Sequence, residues 1–296
     1  HMGGVILFDR NMESPEQVKQ LTSDLQAQSN EKVPLFIGID EEGGDVVRMA
    51  EKLTPPPSQK EIGATGDIEQ AKTWAIKTAK SLKEMGINVN FAPVADVGSN
   101  DKRSYSTDTN TVIDFVRAAT KGYQQENIIY SLKHFPGIGK GKVDSHIDSS
   151  SIDVVKEVLM TEDILPFKTI IDENEPNDYF ILVSHLKYPA LDEEYPASLS
   201  SKIMTDLLRN ELGYKGIIIT DDMEMGAVAN HNDFRSIGVN AVKAGADIVL
   251  VCHEYEHQQE VYLGLLDAVN SGEISQERID ESVKRIIKVK LLHLYQ

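Results

Sequence analysis

The chain has 296 residues, 41% apolar and 26% charged, with no apolar run near the roughly 20 residues needed to cross a bilayer, so neither disorder nor a membrane span is expected. Thirty Lys and Arg against 47 Asp and Glu leave a formal charge of −17, a field that repels phosphate backbones and makes nucleic acid an unexpected partner. The single cysteine, Cys252, allows no internal disulfide, so the fold must rest on its core.

Short β-branched runs recur along the chain: Val5–Phe8, Pro34–Asp40, Val89–Asp96, Ser131–Pro136, Tyr179–His185, Gly216–Asp222 and Asp247–His253. Helical patterns lie between them. After the first run, Ser14 reads as an N-cap, Pro15 as the first helical residue and Gln17 as the partner in a capping box, with Val18, Leu21 and Leu25 on one face. After the second run, Pro55-Pro56-Pro57 forms a stiff segment expected to be a surface loop. Asp67 with Gln70 opens a further helix that Gly86 can end in a left-handed conformation, and Ser275 opens a last one carrying Ile279, Val283, Ile286 and Ile287. Continuous apolar strands alternating with helices predict an α/β chain with a parallel sheet, either a barrel or an open sheet. No internal repeat or low-complexity linker divides it, so one large domain is expected over residues 1–296. No Gly-x-Gly-x-x-Gly follows a strand, and Gly137-Ile-Gly-Lys-Gly141 lacks the ending of a P-loop, so no nucleotide cofactor is expected.

Asp40, Asp96, Lys133 and His134, His185, Asp221 and His253 stand at or near the C-terminal ends of these strands, the face on which a parallel barrel builds its site. In Asp144-Ser145-His146 a carboxylate two residues before a histidine can turn back onto Nδ1 and leave Nε2 to exchange a proton; the alternative is an unpartnered surface pair. Asp221, where a buried strand opens into a loop, suits a nucleophile or a stabiliser of a developing cation, or else Asp221 or Asp222 caps the next helix. In the Ile39-Asp-Glu-Glu-Gly-Gly block, two glycines would let backbone approach a ligand, and Asp40 could accept sugar hydroxyls with Arg48, Arg103, Lys133 and His134 as donors or fixed charges. His253-Glu254-Tyr-Glu-His257 matches the zinc-protease pattern, but His253 follows a strand where that pattern needs a helix, so neither a zinc site nor another metal is expected.

In order, Gly-Gly-Val-Ile-Leu-Phe-Asp-Arg-Asn, Ile-Asp-Glu-Glu-Gly-Gly, Asn-Phe-Ala-Pro-Val-Ala-Asp-Val, Arg-Ser-Tyr, Lys-His-Phe-Pro-Gly with Asp-Ser-His, and Thr-Asp-Asp-Met-Glu-Met resemble the glycoside hydrolase family 3 β-N-acetylglucosaminidases of the bacterial NagZ type over nearly the whole chain. Ile138 and Asp45 stand where that family commonly has histidine and arginine. The resemblance implies a (β/α)8 TIM-like barrel that begins here at the family's second strand. An open edge would need another segment or a second copy to cover it, unless the sequence is a fragment, so a homo-oligomer is the expected partner only if the barrel edge needs covering. It further implies a cofactor-free retaining hydrolase with Asp221 as nucleophile, His146 as acid/base, Asp144 orienting it, and Asp40, Arg48, Arg103, Lys133 and His134 holding an N-acetylglucosamine ring. The implied substrates are small carbohydrates, terminal N-acetylglucosamine on peptidoglycan-derived muropeptides or related β-1,4 glycosides. Alternatives are a phosphorylase, a β-glucosidase or xylosidase of the same family, and an inactive sugar-binding homologue. The expected compartment is the cytoplasm, with an extracellular or lipid-anchored location as the alternative.

Overall fold

The computed structural model describes residues 2–29, 33–49, 53–98, 102–141, 150–230 and 232–295. It divides into two compact units, His1–Lys133 with Ile287–Gln296, and His134–Ile286. Every one of the seven apolar runs contains a strand.

In the first unit, β1 (Gly4–Leu7), β2 (Phe36–Ile39), β3 (Val89–Asn90) and β4 (Ile129–Phe135, whose last two residues belong to the second unit) are parallel neighbours in that order. Between them run α1 (Pro15–Gln28), α2 (Gln59–Ala64), α3 (Ile68–Glu84) and α4 (Thr109–Gln125). Ile37, Ile39, Val89, Ile129 and Leu132 are buried along these strands, each such side chain being worth about 1.5–3 kcal/mol against exposure. α1 starts as expected, with Ser14 Oγ accepting from the Gln17 N–H at 3.1 Å, but the Gln17 side chain reaches back to the Glu13 N–H and not to that of Ser14. The ladder of β3 stops early because Pro93 has no N–H to donate, and pairing resumes at Val94 opposite Lys133. Asparagine amides brace the gap: Asn88 joins Ile37 N and Leu35 O, and Asn90 joins Glu41 N and Glu41 O at 3.0 and 3.1 Å. The α3 and α4 helices touch closely at Gly122, where a Cβ would lie 2.6 Å from the Lys72 carbonyl oxygen.

The second unit runs in chain order through α5 (Lys156–Val158), a π-helical turn at Leu159–Asp163, α6 (Leu165–Glu173), β5 (Tyr179–Val183), an antiparallel hairpin of β6 (Lys187–Tyr188) and β7 (Asp192–Pro196), a π-helix at Lys202–Glu211, β8 (Ile217–Asp222), α7 (Gly226–Ala229), α8 (Phe234–Ala244), β9 (Ile248–Leu250), α9 (Tyr255–Ser271) and α10 (Gln276–His293). The C-terminal part of α10, from Ile287 on, belongs to the first unit. β5, β8 and β9 are parallel neighbours. Val239, Val242, Ala268 and Ile274 form a core beside them with Val249, Leu265 and Ile279. Where β9 begins, the buried Asp247 carboxylate gathers Arg209, Arg285 at 3.0 Å, the Ser282 hydroxyl at 2.6 Å and the Ile218 N–H at 3.0 Å. Among the described residues no helix is long and apolar enough to cross a membrane.

Candidate active site

In the first unit, Asp40 follows the last residue of β2 and stands at the centre of an ion network. Its Oδ1 accepts from Lys133 Nζ at 2.7 Å and its Oδ2 from Arg48 at 3.1 Å. Glu42, which motif spacing does not single out, holds the other half: Arg103 donates to it from Nε and from its terminal nitrogen, both at 2.8 Å, and Lys133 pairs with it at 2.5 Å. The Glu42 side chain is only 2% exposed and that of Lys133 only 3%. Burial works against the charge on Lys133, but Asp40 and Glu42 outweigh it and hold the ammonium above the usual lysine value. Four of the five expected ring ligands, Asp40, Arg48, Arg103 and Lys133, are therefore joined through two carboxylates. His134, the fifth, is buried near the end of β4 in the second unit.

Glu41 lies between the two hub carboxylates and does something different. Its Oε2 accepts the Arg48 backbone N–H at 2.9 Å, which ties the return of the loop to its start. Burial pushes its carboxyl up to about 7, although the Arg48 N–H and guanidinium act in the opposite sense. The glycines that follow face protein. Gly43 and Gly44 have φ of +108° and +60°, and a Cβ on them would meet the Pro57 carbonyl oxygen at 2.3 Å and Ser58 Cβ at 2.5 Å. The expected reason for this glycine pair, close approach to a ligand, is thus replaced by close approach to residues 56–58. For the same reason Pro56 is buried, while the rest of the proline segment is the loop the sequence suggested, with Pro55 and Pro57 half-buried.

In the second unit, Asp221 sits within the C-terminal end of β8, half-buried, and its Oδ1 accepts the N–H of Asp222 at 2.9 Å. Asp222 is the buried one of the pair. Its Oδ1 accepts from Glu224 N at 3.1 Å and Cys252 N at 3.2 Å, and its Oδ2 lies 3.2 Å from His253 Nε2. Burial is the main cause of its raised pKa. Neither aspartate caps α7, whose N-cap is Met225; Asp222 instead closes the turn onto Glu224. Beneath them, His185 is 1% exposed, with Nε2 2.8 Å from the Asp222 carbonyl and Nδ1 2.7 Å from the Ser198 hydroxyl. A carbonyl only accepts, so Nε2 carries the proton and the hydroxyl donates to Nδ1. Burial holds this imidazole below its ordinary pKa, which keeps it neutral. The sequence marks His185 as a strand-end residue without a role, and that position is its visible signal.

The expected Asp144 and His146 lie outside the described residues. The chain on either side of them is anchored: Lys140 Nζ pairs with Glu162 at 2.7 Å and Asp163 at 2.5 Å, and Lys187 N donates to Ser150 O at 2.9 Å. His253 and His257, the ends of the protease-like pattern, contact different carboxylates, Asp222 and Glu224. His253 precedes α9 and His257 is within it, so they do not present one helical face.

A parallel β/α chain with charged side chains gathered at the C-terminal strand ends is the layout of a barrel-type catalytic domain. The chain belongs to glycosyl hydrolase family 3: the pattern described as the Glycosyl hydrolase family 3 N terminal domain matches residues 1–289. It is 36% identical to the β-hexosaminidase A of Pseudoalteromonas piscicida over 98% of this chain and 53% of that protein. It is 31% identical to a β-hexosaminidase of Nitrosomonas eutropha, over 95% of this chain and 83% of that one. A solved family 3 β-N-acetylglucosaminidase from a Paenibacillus species superposes with a TM-score of 0.96 at 38% identity, covering 99% of this chain and 57% of that one. The chain thus has the TIM-barrel-like α/β fold of its family and spans little more than half the length of two of these three relatives.

Proposed function

We propose that this chain is the catalytic domain of a retaining β-N-acetylglucosaminidase, acting as one domain over residues 1–296. The observation that carries the reading is the ion network in which Asp40, Arg48, Arg103 and Lys133 are held through Asp40 and Glu42. A sugar hydroxyl both donates and accepts, and paired carboxylates and cations offer it both partners at fixed places. The similarity to proteins named β-hexosaminidase and β-N-acetylglucosaminidase supports the same sugar.

In this reading Asp221 attacks the anomeric carbon and the bond to the leaving oxygen breaks as His146 protonates that oxygen. His146 then takes a proton from water, whose oxygen displaces Asp221 and regenerates the free carboxylate. Asp144 orients His146 and stabilises its cation. A histidine paired with a carboxylate adds less repulsion beside Asp221 than a second lone carboxylate would. The proposed substrates carry a terminal β-1,4-linked N-acetylglucosamine, as in peptidoglycan-derived muropeptides, and the proposed setting is a bacterial cytoplasm.

The test is turnover of 4-nitrophenyl β-N-acetylglucosaminide beside the 4-nitrophenyl glucoside, with and without phosphate. A site whose buried donors are left unpaired by the plain glucoside should separate the two by about 10²- to 10⁴-fold in kcat/KM. Turnover of both within a few-fold would overturn the proposed sugar specificity. Release of the sugar 1-phosphate would make the enzyme a phosphorylase.

A further inference from the structure

The His253-Glu-Tyr-Glu-His257 pattern has no part in the mechanism above, yet both of its histidines engage residues that directly follow Asp221. After β8 the chain turns through Met223 and Glu224 into α7. Glu224 Oε1 lies 2.7 Å from His257 Nδ1 and accepts the Glu254 N–H at 2.9 Å, while its Oε2 accepts the His253 N–H at 2.5 Å. Helix α9 has no side-chain cap from its own N-cap residue, Glu254. Glu224 serves in that place, putting a carboxylate at a helix N-terminus, where the aligned peptide dipoles favour negative charge. The His257 ring is itself fixed, stacked on Phe234 with centroids 3.7 Å apart and planes 10° from parallel. Two further links join the same loops: the Asp222 carboxylate takes Cys252 N and His253 Nε2, and the Met223 N–H donates to the Leu250 carbonyl at 3.0 Å.

We infer that Glu224 and His257 are positioning residues that clamp the turn following Asp221 to the start of α9, with His253 on Asp222 as a second, more exposed fastening. The inference rests on the reading of Asp221 as nucleophile. Its physical basis is that attack on the anomeric carbon requires a carboxylate oxygen held within a fraction of an ångström, and Asp221 is the last residue but one of β8, whose pairing with β9 ends at Asp222 opposite Leu250. Beyond that point one backbone bond, Met223 N–H to the Leu250 carbonyl, joins the turn to β9, and its other ties to the start of α9 run through side chains. A buried, triply bonded carboxylate is one such tie, and the stack on Phe234 keeps its imidazole partner from rotating away. Burial works against the charge on Glu224, but His257 and the two backbone N–H groups outweigh it and hold the carboxyl below its usual pKa.

The experiment compares Glu224→Gln, His257→Leu and His257→Asn with the parent and with Asp221→Asn, using the whole chain and 4-nitrophenyl β-N-acetylglucosaminide. Asparagine can place a donor where Nδ1 stood, whereas leucine cannot. Glu224→Gln and His257→Leu should lower kcat about tenfold with KM within about twofold, and His257→Asn should recover most of the loss. The rate of covalent trapping of Asp221 by a fluorinated glycosyl inhibitor should fall in parallel, while the final labelled fraction stays complete. Unchanged kcat in Glu224→Gln and His257→Leu beside an inactive Asp221→Asn would overturn the clamp alone. Full activity in Asp221→Asn would overturn the nucleophile reading on which it stands. A reduced labelled fraction with an unchanged trapping rate would reduce the pair to a purely structural role, and so also overturn the clamp.

Discussion

The carboxylates after β2 and those around the end of β8 are held by different chemistry. Asp40 and Glu42 face Lys133, Arg48 and Arg103, full cations with fixed geometry. Asp222 and Glu224, on either side of Met223, are held by backbone N–H groups and by the imidazoles of His253 and His257. Asp247, where β9 begins, shows that the second unit can supply arginines to a buried carboxylate when the purpose is to fix it. Cations suit a recognition site, because a ligand hydroxyl can enter an existing pair without creating charge. They suit the neighbourhood of a nucleophile poorly, because a guanidinium would draw off the electron density that attacks carbon. In the proposed function the two clusters divide these tasks, recognition after β2 and attack at the end of β8.

The sharpest way to break that division is at Asp221. Asp221→Asn should lower turnover by at least about 10³-fold with the chain still folded, and labelling of Asp222 by a fluorinated glycosyl inhibitor would move the nucleophile by one residue. His146→Ala should cost about 10² to 10⁴ for poor leaving groups and much less for good ones, since only the former need a proton; equal losses would remove His146 as the acid. After β2 the expected effect lies in binding and stability. Glu42→Gln deprives Arg103 and the buried Lys133 of a charged partner, which should cost roughly 3 kcal/mol in urea unfolding and raise KM more than it lowers kcat. A fall in kcat alone would place Glu42 on the chemical step.

Glu41 gives the smallest effect and a pH signature. Its folded pKa of about 7 lies above the ordinary 4.5, so between these values the folded chain keeps a proton that the unfolded chain has lost. The stability contributed by this protonated carboxyl is full below the unfolded value and disappears as pH rises through the folded one. Glu41→Gln cannot ionise and should gain on the parent, by about 2 kcal/mol more near pH 8 than near pH 5.5. A pH-independent difference would show that Glu41 does not titrate there.

Apolar runs show where the strands lie because burial on both faces leaves little choice of residue, as in Tyr179–Val183, where every residue is buried. Strand ends are less legible. Val89–Asp96 reads as one strand, yet its ladder breaks at Pro93. The hairpin of β6 and β7 has no Asn-Gly or Asp-Gly turn to announce it, and the π-helical stretches carry ordinary helical patterns. The proposed ring ligands stand in recognisable motifs, whereas Glu42 escapes notice because an acidic residue beside Asp40 and Glu41 looks like one more surface charge. What marks it is burial between Arg103 and Lys133, residues 61 and 91 positions further on, a proximity that only folding creates. His185 is hidden similarly, its task being to hold the Asp222 carbonyl 37 positions away.

The contact of Gly43 and Gly44 with residues 56–58 also limits how this loop can be redesigned. Any side chain at either glycine would have to displace backbone at Pro57 or Ser58, and because Glu42 is the next residue back, the strain would pass straight to the carboxylate shared by Arg103 and Lys133. Libraries that randomise the loop to alter sugar preference would therefore consist mostly of misassembled sites. Asp45, one residue on, is exposed and pairs at the surface with Lys102, which makes it the position at which a reporter group could be attached without disturbing the network behind it.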